Sequence, residues 1–394
     1  MPDTNKRVDV RFFNQQLKLI GDIDDYTALT YTRKWTTYNT FEMHVSKFDG
    51  ELIRRGNFIM LNNDRYRSGI ITYFEDNERE TNDITIRGFC PRFLLFERPT
   101  IPPSGQDYDT YNTEVENILI GLIDRNCVNP ENGNRKIPFL SCAKSQNRGE
   151  KTSFQTAHKV LKDEISSLCT ASNLGTATYF DPTTKQIRFE VLSGTDRTYD
   201  NSVRPPYVFA RKWDRLFERN YTESDTDYKN VAYVAGQGEG RDREILTIGD
   251  DVTGFGRREI FIDARDIGED AETTLEDRGK LKLAEYALIK SFESTVKTDD
   301  YRAEWDLGDF VTIEDDKTGI REARQILEVK EVYETENYSI EPVMGEPLKT
   351  PQAILKRNTA SPVSYQGKQG EPGENGKTPS FRLDEDGNLY AVYE

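Results

Sequence analysis

Histidine is nearly absent from this sequence: His44 and His158 are the only two in 394 residues. Methionine and cysteine are scarce too, at four each. Cys90, Cys127, Cys142 and Cys169 stand far apart, with no C-x-x-C pair. Zinc centres and redox dithiols need clustered imidazole or thiolate groups, so both find little support, and buried free thiols are the expected state. No H-E-x-x-H occurs, and "GFCPR", "PFLSCAK" and "SSLCTA" give no cysteine the context of a nucleophile. Long apolar runs are missing as well. Nothing approaches the roughly 20 residues of a membrane helix, and "MPDTNKRVDVRFF" lacks a signal peptide's apolar centre. The expectation is folding in a cytoplasm, without stable membrane insertion.

Positive charge is short. Fifty-three Lys and Arg face 69 Asp and Glu, a net charge of −16. Phosphate binding needs clustered cations, so a nucleic-acid binder is not expected. An acidic wall instead repels phosphates and keeps DNA from adhering. So many carboxylates conceal any catalytic pair rather than reveal one. The acidic runs "DIDDYT" and "IEDDKTG" lack the twelve-residue loop with glycine at position six and glutamate at twelve, so they read as solvated turns, not calcium sites. No metal, cofactor or catalytic residue is expected.

Aromatic residues are abundant, with 20 Tyr and 20 Phe, which marks a folded chain despite only 35% hydrophobic residues. Residues 1–105 read as β-rich: "VDVRFF", "ALTYTRKW", "TFEMHV", "NFIML", "YRSGIITYF" and "DITIRGF" are strand-like segments split by polar turns. Such a series suits a barrel or a sandwich. "RPTIPPSGQ" then breaks the pattern. Residues 106–200 read as an α+β module. One helix carries Val115, Ile118, Leu119, Leu122 and Ile123, with Thr113 and Glu116 as a capping box. A second spans about Ser153 to Ser172, includes His158, and stops near Gly175. "ATYFDPTTKQIRFEVL" reads as a hairpin in which Ile187, Phe189 and Val191 alternate with charge.

Residues 201–350 return to strands, with one helix from about Glu272 to Ser291. "KNVAYVAGQGEGRDREILTIG" is the most distinctive stretch. Its Gly236, Gly238 and Gly240 have neither the G-x-G-x-x-G spacing nor the following helix of a phosphate cradle. They read as structural glycines of a hairpin loop, and Gly308 in "DLGDFVTI" as another. Trp35, Trp213 and Trp305 are scattered and read as core residues.

Residues 351–394 begin as a linker. "GKQGEPGENGKT" follows, with Gly367, Gly370, Gly373 and Gly376 at every third position. Two readings stand: a flexible Gly-rich linker, against which Lys, Gln, Glu, Pro and Asn rather than Ser and Gly lie between, and a short collagen-like triple helix, whose axis only glycine fits. Four triplets are too few to hold three chains by themselves, because ordering the chains costs more than so few hydrogen bonds return. The run makes sense if the folded part already associates in threes. "FRLDEDGNLYAVYE" then reads as a hairpin turning at Asp386-Gly387.

"KNVAYVAGQGEGRDRE", "DLGDFVTI" and "NYSIEPVMGE", in that order, resemble the tail-tip hub proteins of siphophages that infect Gram-positive bacteria, the structural N-terminal part of the tail-associated lysin family. The resemblance covers roughly residues 8–348 and implies an α+β, multidomain, phage tail-hub-like fold. Two barrel-like β domains would flank the α+β module. It implies a homotrimer whose six β domains form a pseudo-sixfold ring, capping the tail tube below the distal tail ring protein and opening for DNA passage. The tape-measure protein, and receptor-binding or fibre proteins, are the further partners it implies. DNA would pass without specific binding, and the protein would reside in the virion after assembly in the host cytoplasm. Many members continue into a peptidoglycan-degrading domain or a long fibre; no such enzyme is expected between the triplets and Glu394. Two alternatives stand beside this reading: a tail-tip peptidoglycan hydrolase, and a module that binds host cell-wall glycan.

Overall fold

The computed structural model describes residues 7–77, 83–268, 273–334 and 337–345, together with the strands 380–383 and 389–392. The chain forms two compact units, Met1–Leu348 and Lys349–Glu394. The first begins with seven strands: β1 (Val10–Phe13), β2 (Leu19–Ile23), β3 (Ala28–Lys34), β4 (Thr40–Val45), β5 (Phe58–Leu61), β6 (Ser68–Asn77) and β7 (Asp83–Phe89). Helix α1 (Arg92–Phe96) leads to β8 (Asp109–Glu114), α2 (Val115–Ile123), β9 (Leu140–Cys142), β10 (Lys151–Thr156), α3 (Leu161–Ser172), β11 (Leu174–Asp181) and β12 (Gln186–Ser193). Then come β13 (Asp196–Arg197), β14 (Val208–Ala210), β15 (Leu216–Ser224), β16 (Val231–Ala235), β17 (Ile245–Ile248), β18 (Glu259–Asp263), α4 (Leu275–Ala284), β19 (Ile289–Val296), β20 (Phe310–Asp315), β21 (Ile320–Glu334) and β22 (Tyr338–Gly345). In the second unit β23 (Ser380–Leu383) and β24 (Leu389–Val392) pair antiparallel, and the turn between them lies outside the described residues.

Alternation dictates the strands. In β4, Phe41, Met43 and Val45 are buried while Thr40, Glu42 and His44 face outward. Leu161, Ile165, Leu168 and Cys169 give α3 its buried stripe. Each such side chain taken out of water contributes about 2 kcal/mol.

The expected pair of barrels is not what forms. The sheet is open and has 14 strands: eleven follow the order β15-β19-β22-β21-β3-β4-β7-β6-β5-β1-β2, and β20, which pairs with β13 and β14, branches from β21. The early and late β regions are therefore joined edge to edge. The 15-residue strand β21 makes the join: it pairs with β22 on one side and with β3 on the other, Val329 opposite Arg33 and Tyr333 opposite Leu29. Alternation shows which face of a strand is buried but not which strand lies beside it, so this seam is invisible to periodicity.

Three helix readings also need correction. Residues 151–156 form strand β10 against β8, so the helix begins only at Leu161. His158 lies before it, at φ 54°. The helix ends on Asn173 in the left-handed conformation, while Gly175 sits inside β11. Thr113 and Glu116 form no capping box; the Glu116 carboxylate instead accepts the backbone N–H groups of Gln146 and Arg148. The helix read as Glu272–Ser291 is shorter, because Ile289–Val296 alternates and pairs as β19 between β15 and β22. Its N-terminus is capped by Thr274, whose hydroxyl oxygen accepts the Asp277 N–H at 3.1 Å.

A buried polar cluster pins the seam. Glu331, fully enclosed on β21, accepts hydrogen bonds from Arg67 at 2.8 Å, the Tyr333 hydroxyl at 2.7 Å and the Tyr301 hydroxyl at 2.8 Å. Arg67 also reaches Asp64, and Arg33 donates to Tyr301 and Asp306. Burial pushes the Tyr301 and Tyr333 hydroxyls up, so both remain donors. Removing one partner strands a buried charge. Glu331→Gln or Arg67→Met is expected to cost about 3 kcal/mol in urea unfolding, and the double variant Arg67→Met/Glu331→Met less than the sum of the singles.

Candidate assembly site

Three separate parts of the chain converge on Trp35, and they set where the outward surfaces lie. Trp35 follows β3 and is almost wholly buried. Its N–H donates to Leu327 of β21 at 2.9 Å, and its carbonyl accepts the N–H of Thr176 of β11 at 2.9 Å. Its ring is hemmed by glycines. A methyl group on Gly175 would stand 2.3 Å from it, and one on Gly308 would stand 2.2 Å from it. Gly308 also has φ +91°, where a side chain is strained in any case. Gly194 presses on the carbonyl of Gly308 so closely that a methyl there would meet it at 1.7 Å. Arg92, fully buried, completes the joint by donating to the carbonyls of Thr176 and Lys34, to the Thr176 hydroxyl and to Asn39. These oxygens meet its two terminal nitrogens and tie α1, the β3–β4 turn and β11 together.

A second feature is an arm inserted between two neighbouring strands. Residues 225–288 leave the end of β15 and return at the start of β19, where Ser224 pairs with Ile289. In the arm β16 lies between β17 and β18, and α4 covers one face. Ala232, Val234, Ile262, Ala264, Ile267 and Leu275 make its own small core. Gly279 of α4 lies so close to Ile248 and Val234 that only glycine fits. The loop joining β16 to β17 contains Gly236, Gly238 and Gly240. Gly238 has φ +93°, and a methyl on it would meet the Asp242 carbonyl at 2.5 Å, so the loop folds tightly on its own backbone. Arg243 ties this loop down through the carbonyls of Ala235 and Gly236 and through Asp263.

Polar contacts and one leucine link the arm to the α+β module. Gln155 of β10 donates to Asp266, which is also paired with Arg278 at 2.8 Å. The Ser167 hydroxyl of α3 donates to Glu285 at 2.6 Å, and Lys282 pairs with the same carboxylate. Leu281 is the apolar anchor. Burial beneath α4 pushes the Glu164 carboxyl up to about 7; Lys282, Arg278 and Lys159 oppose this and Glu285 adds to it.

The remaining candidates fall elsewhere. Trp305 is buried beside Tyr207, Phe209 and Tyr301, but Trp213 is 46% exposed beneath Lys212, contrary to its reading as a core residue. All four cysteines are free. Burial pushes the thiols of Cys142 and Cys169 up to about 12 and that of Cys127 to about 11, so they stay protonated and poorly nucleophilic. His44 bridges Asp83 at 2.6 Å and Glu42 at 2.9 Å on the outer face of β4. Asp315 of the acidic turn is buried and accepts from Thr318, with Arg219 at 2.6 Å. Among the described residues no group of His, Cys, Asp and Glu is placed to hold a metal ion, and no helix is long and apolar enough to cross a membrane. Gly367, Gly370, Gly373 and Gly376 lie outside the described residues. The Trp35 clamp and Arg92 carry no sequence signature, since "TRKWTT" and "GFCPRF" match no recurring pattern.

The family described as Siphovirus ReqiPepy6 Gp37-like protein matches residues 9–346. No curated protein sequence matches the chain. Two solved structures share its fold at low identity. One is the 43 kDa tail protein of prophage MuSo2 from Shewanella oneidensis, at 11% identity and a TM-score of 0.52, with 86% of this chain and 97% of that one covered. The other is the prophage tail protein gp18 from Listeria monocytogenes EGD-e, at 13% identity and a TM-score of 0.52, with 89% and 98% covered.

Two outcomes follow from the joints. Gly308→Ala and Gly175→Ala should each cost about 3 kcal/mol in urea unfolding, because the Trp35 ring has no room to retreat. Glu164 sets a pH dependence. At low pH it is protonated folded and unfolded alike. Between its ordinary value of 4.5 and about 7 the unfolded chain ionises first, so stability is lost as pH rises through that window. Glu164→Gln should therefore melt higher than the wild type at about pH 8 and no differently at about pH 4.

Proposed function

Because the chain belongs to the Siphovirus ReqiPepy6 Gp37-like protein family and has the fold of phage tail proteins, we propose that it is the structural hub of a siphophage tail tip. In this reading three copies cap the tail tube below the distal tail ring protein and open to let DNA through. The tape-measure protein would end on the hub, and receptor-binding or fibre proteins would attach around it. The observation that carries the reading is the extent of the likeness: the tail-protein fold takes up nearly the whole of both neighbours and most of this chain, leaving the Gly-x-y run outside the family match. Read as collagen-like, that run would call for three chains, and the folded unit would bring them together. The acidic surplus suits a conduit, since a wall that attracted phosphates would stall the passing DNA.

A second reading, a module for host cell-wall glycan, is favoured by the exposed ring of Trp213. It predicts that Trp213→Ala lowers binding to isolated cell walls, which the hub reading does not require.

Light scattering on the purified full chain tests the hub reading. A mass of three chains is expected, and a truncation ending at Gly345 should form trimers that dissociate at higher concentration. A stable dimer would contradict the reading.

A further inference from the structure

Several arginines of low exposure in this chain carry a carboxylate partner: Arg33 has Asp306, Arg67 has Glu331, Arg148 has Glu116 and Arg197 has Asp309. Arg98 and Arg135 of the α+β module, both half-buried, do not. Arg98 follows α1, and its carbonyl accepts the Leu161 N–H at 2.8 Å where α3 begins. Arg135 closes the short turn Gly133–Arg135. Each holds the other's backbone. The Arg98 guanidinium donates to the Arg135 carbonyl, and the Arg135 guanidinium donates to the Pro99 carbonyl at 2.6 Å. Arg135 also donates to Oδ1 of Asn126 at 3.3 Å. Asn126 is fully buried and is itself fixed, because it accepts the Ile101 N–H and donates to the Leu122 carbonyl, both at 2.9 Å. The two cationic heads are thus brought together by bonds to neutral oxygens.

No carboxylate answers these charges, although the chain has 69 of them. Glu97, beside Arg98 in sequence, accepts from the Tyr38 hydroxyl, and Glu131, near Arg135, accepts from Ser104. Among the described residues neither arginine forms an ion pair. Burial holds the Arg135 guanidinium below the usual arginine value; the Cys127 thiol opposes this, and the neighbouring Arg98 charge adds to it. Burial also pushes that thiol up to about 11, so at neutral pH it carries no compensating charge. A guanidinium stays charged at any ordinary pH and has five N–H donors. Arg98 uses one of them and Arg135 two, so both keep donors to offer.

We propose that Arg98 and Arg135 form a binding site for a phosphate group, either the free ion or a terminal phosphate ester on a larger molecule. Two like charges held together without a counter-ion repel each other, and a bound anion removes that cost. Arginine forks match oxyanions, and the oxygens of a phosphate can accept from both forks at once. Charge decides among the anions. A phosphate monoester carries about −1.5 to −2 near neutral pH and balances both guanidinium groups, whereas a carboxylate or a phosphodiester carries a single charge. Nucleic acid presents a row of such single charges and needs cations continued along the surface, which one pair of arginines does not supply. Because Arg98 and Asn126 are fixed by the fold, little side-chain freedom is lost when the anion arrives. The assignment is independent of whether the chain is a tail hub.

Calorimetric titration of the full chain, in phosphate-free buffer at constant ionic strength, tests it with inorganic phosphate, glycerol 1-phosphate and acetate. Saturable binding of inorganic phosphate is expected, with a dissociation constant of about 1 mM or below, and no binding of acetate. Glycerol 1-phosphate binding as tightly as the free ion assigns the site to phosphate esters; binding of inorganic phosphate alone assigns it to the ion. Arg135→Lys, which keeps the charge but loses the fork, and Arg98→Gln should each weaken binding about tenfold or more, with an unaltered circular dichroism spectrum. Hydrogen exchange on the wild type needs no variant: phosphate should slow exchange at residues 98–101 and 132–136. The assignment is overturned by the absence of saturable phosphate binding, by acetate binding equally well, or by binding that both variants leave unchanged.

Discussion

The fold depends on one steric constraint: a tryptophan ring fixed where three distant segments meet, with glycine the only residue its neighbours can be. Trp35 extends β3, its backbone bonds to β21 and β11, and Gly175 and Gly308 leave its ring no clearance. Two β regions and a helical module are thereby held in one orientation. The buried Glu331 cluster continues the same seam between β3 and β21 with polar groups. Such a cluster tolerates few arrangements, because each member loses its partner if the strands shift.

The arm is built on the opposite principle. It has a small core of its own, hangs from two adjacent strands, and meets the module through charges and hydroxyls as well as through Leu281. Contacts of that kind separate at lower cost than a packed apolar interface, and Glu164 makes them sensitive to proton activity.

Much of the fold was legible in residue order. Strong alternation located most of the strands, and the hairpin β11–β12 matched its reading throughout. The hairpin β16–β17 with its glycine loop was equally plain. What failed has physical causes. Residues 153–156 and 289–291 were read as parts of helices, and pairing with neighbouring strands decided in favour of sheet. Gly175 was read as a helix stop because a helix does end nearby, but its lack of a side chain serves the Trp35 ring, distant in sequence and packed against it in the fold. Such long-range steric demands leave no trace in local spacing. Two separate barrels were expected where one open sheet forms, since the pairing of β3 with β21 joins residues about 300 positions apart. Of the candidate site, the loop glycines could be found from sequence, whereas the Trp35 clamp and Arg92 could not, because their partners lie far away in the chain.

The account's central claim is that three copies of this chain meet on the axis of a phage tail. Electron microscopy of the assembled particle, with density assigned by fitting residues 9–346, tests it most directly. The account predicts three copies around the central axis at the tip, below the distal ring. Density for this chain away from that axis, or in a number not divisible by three, would contradict it.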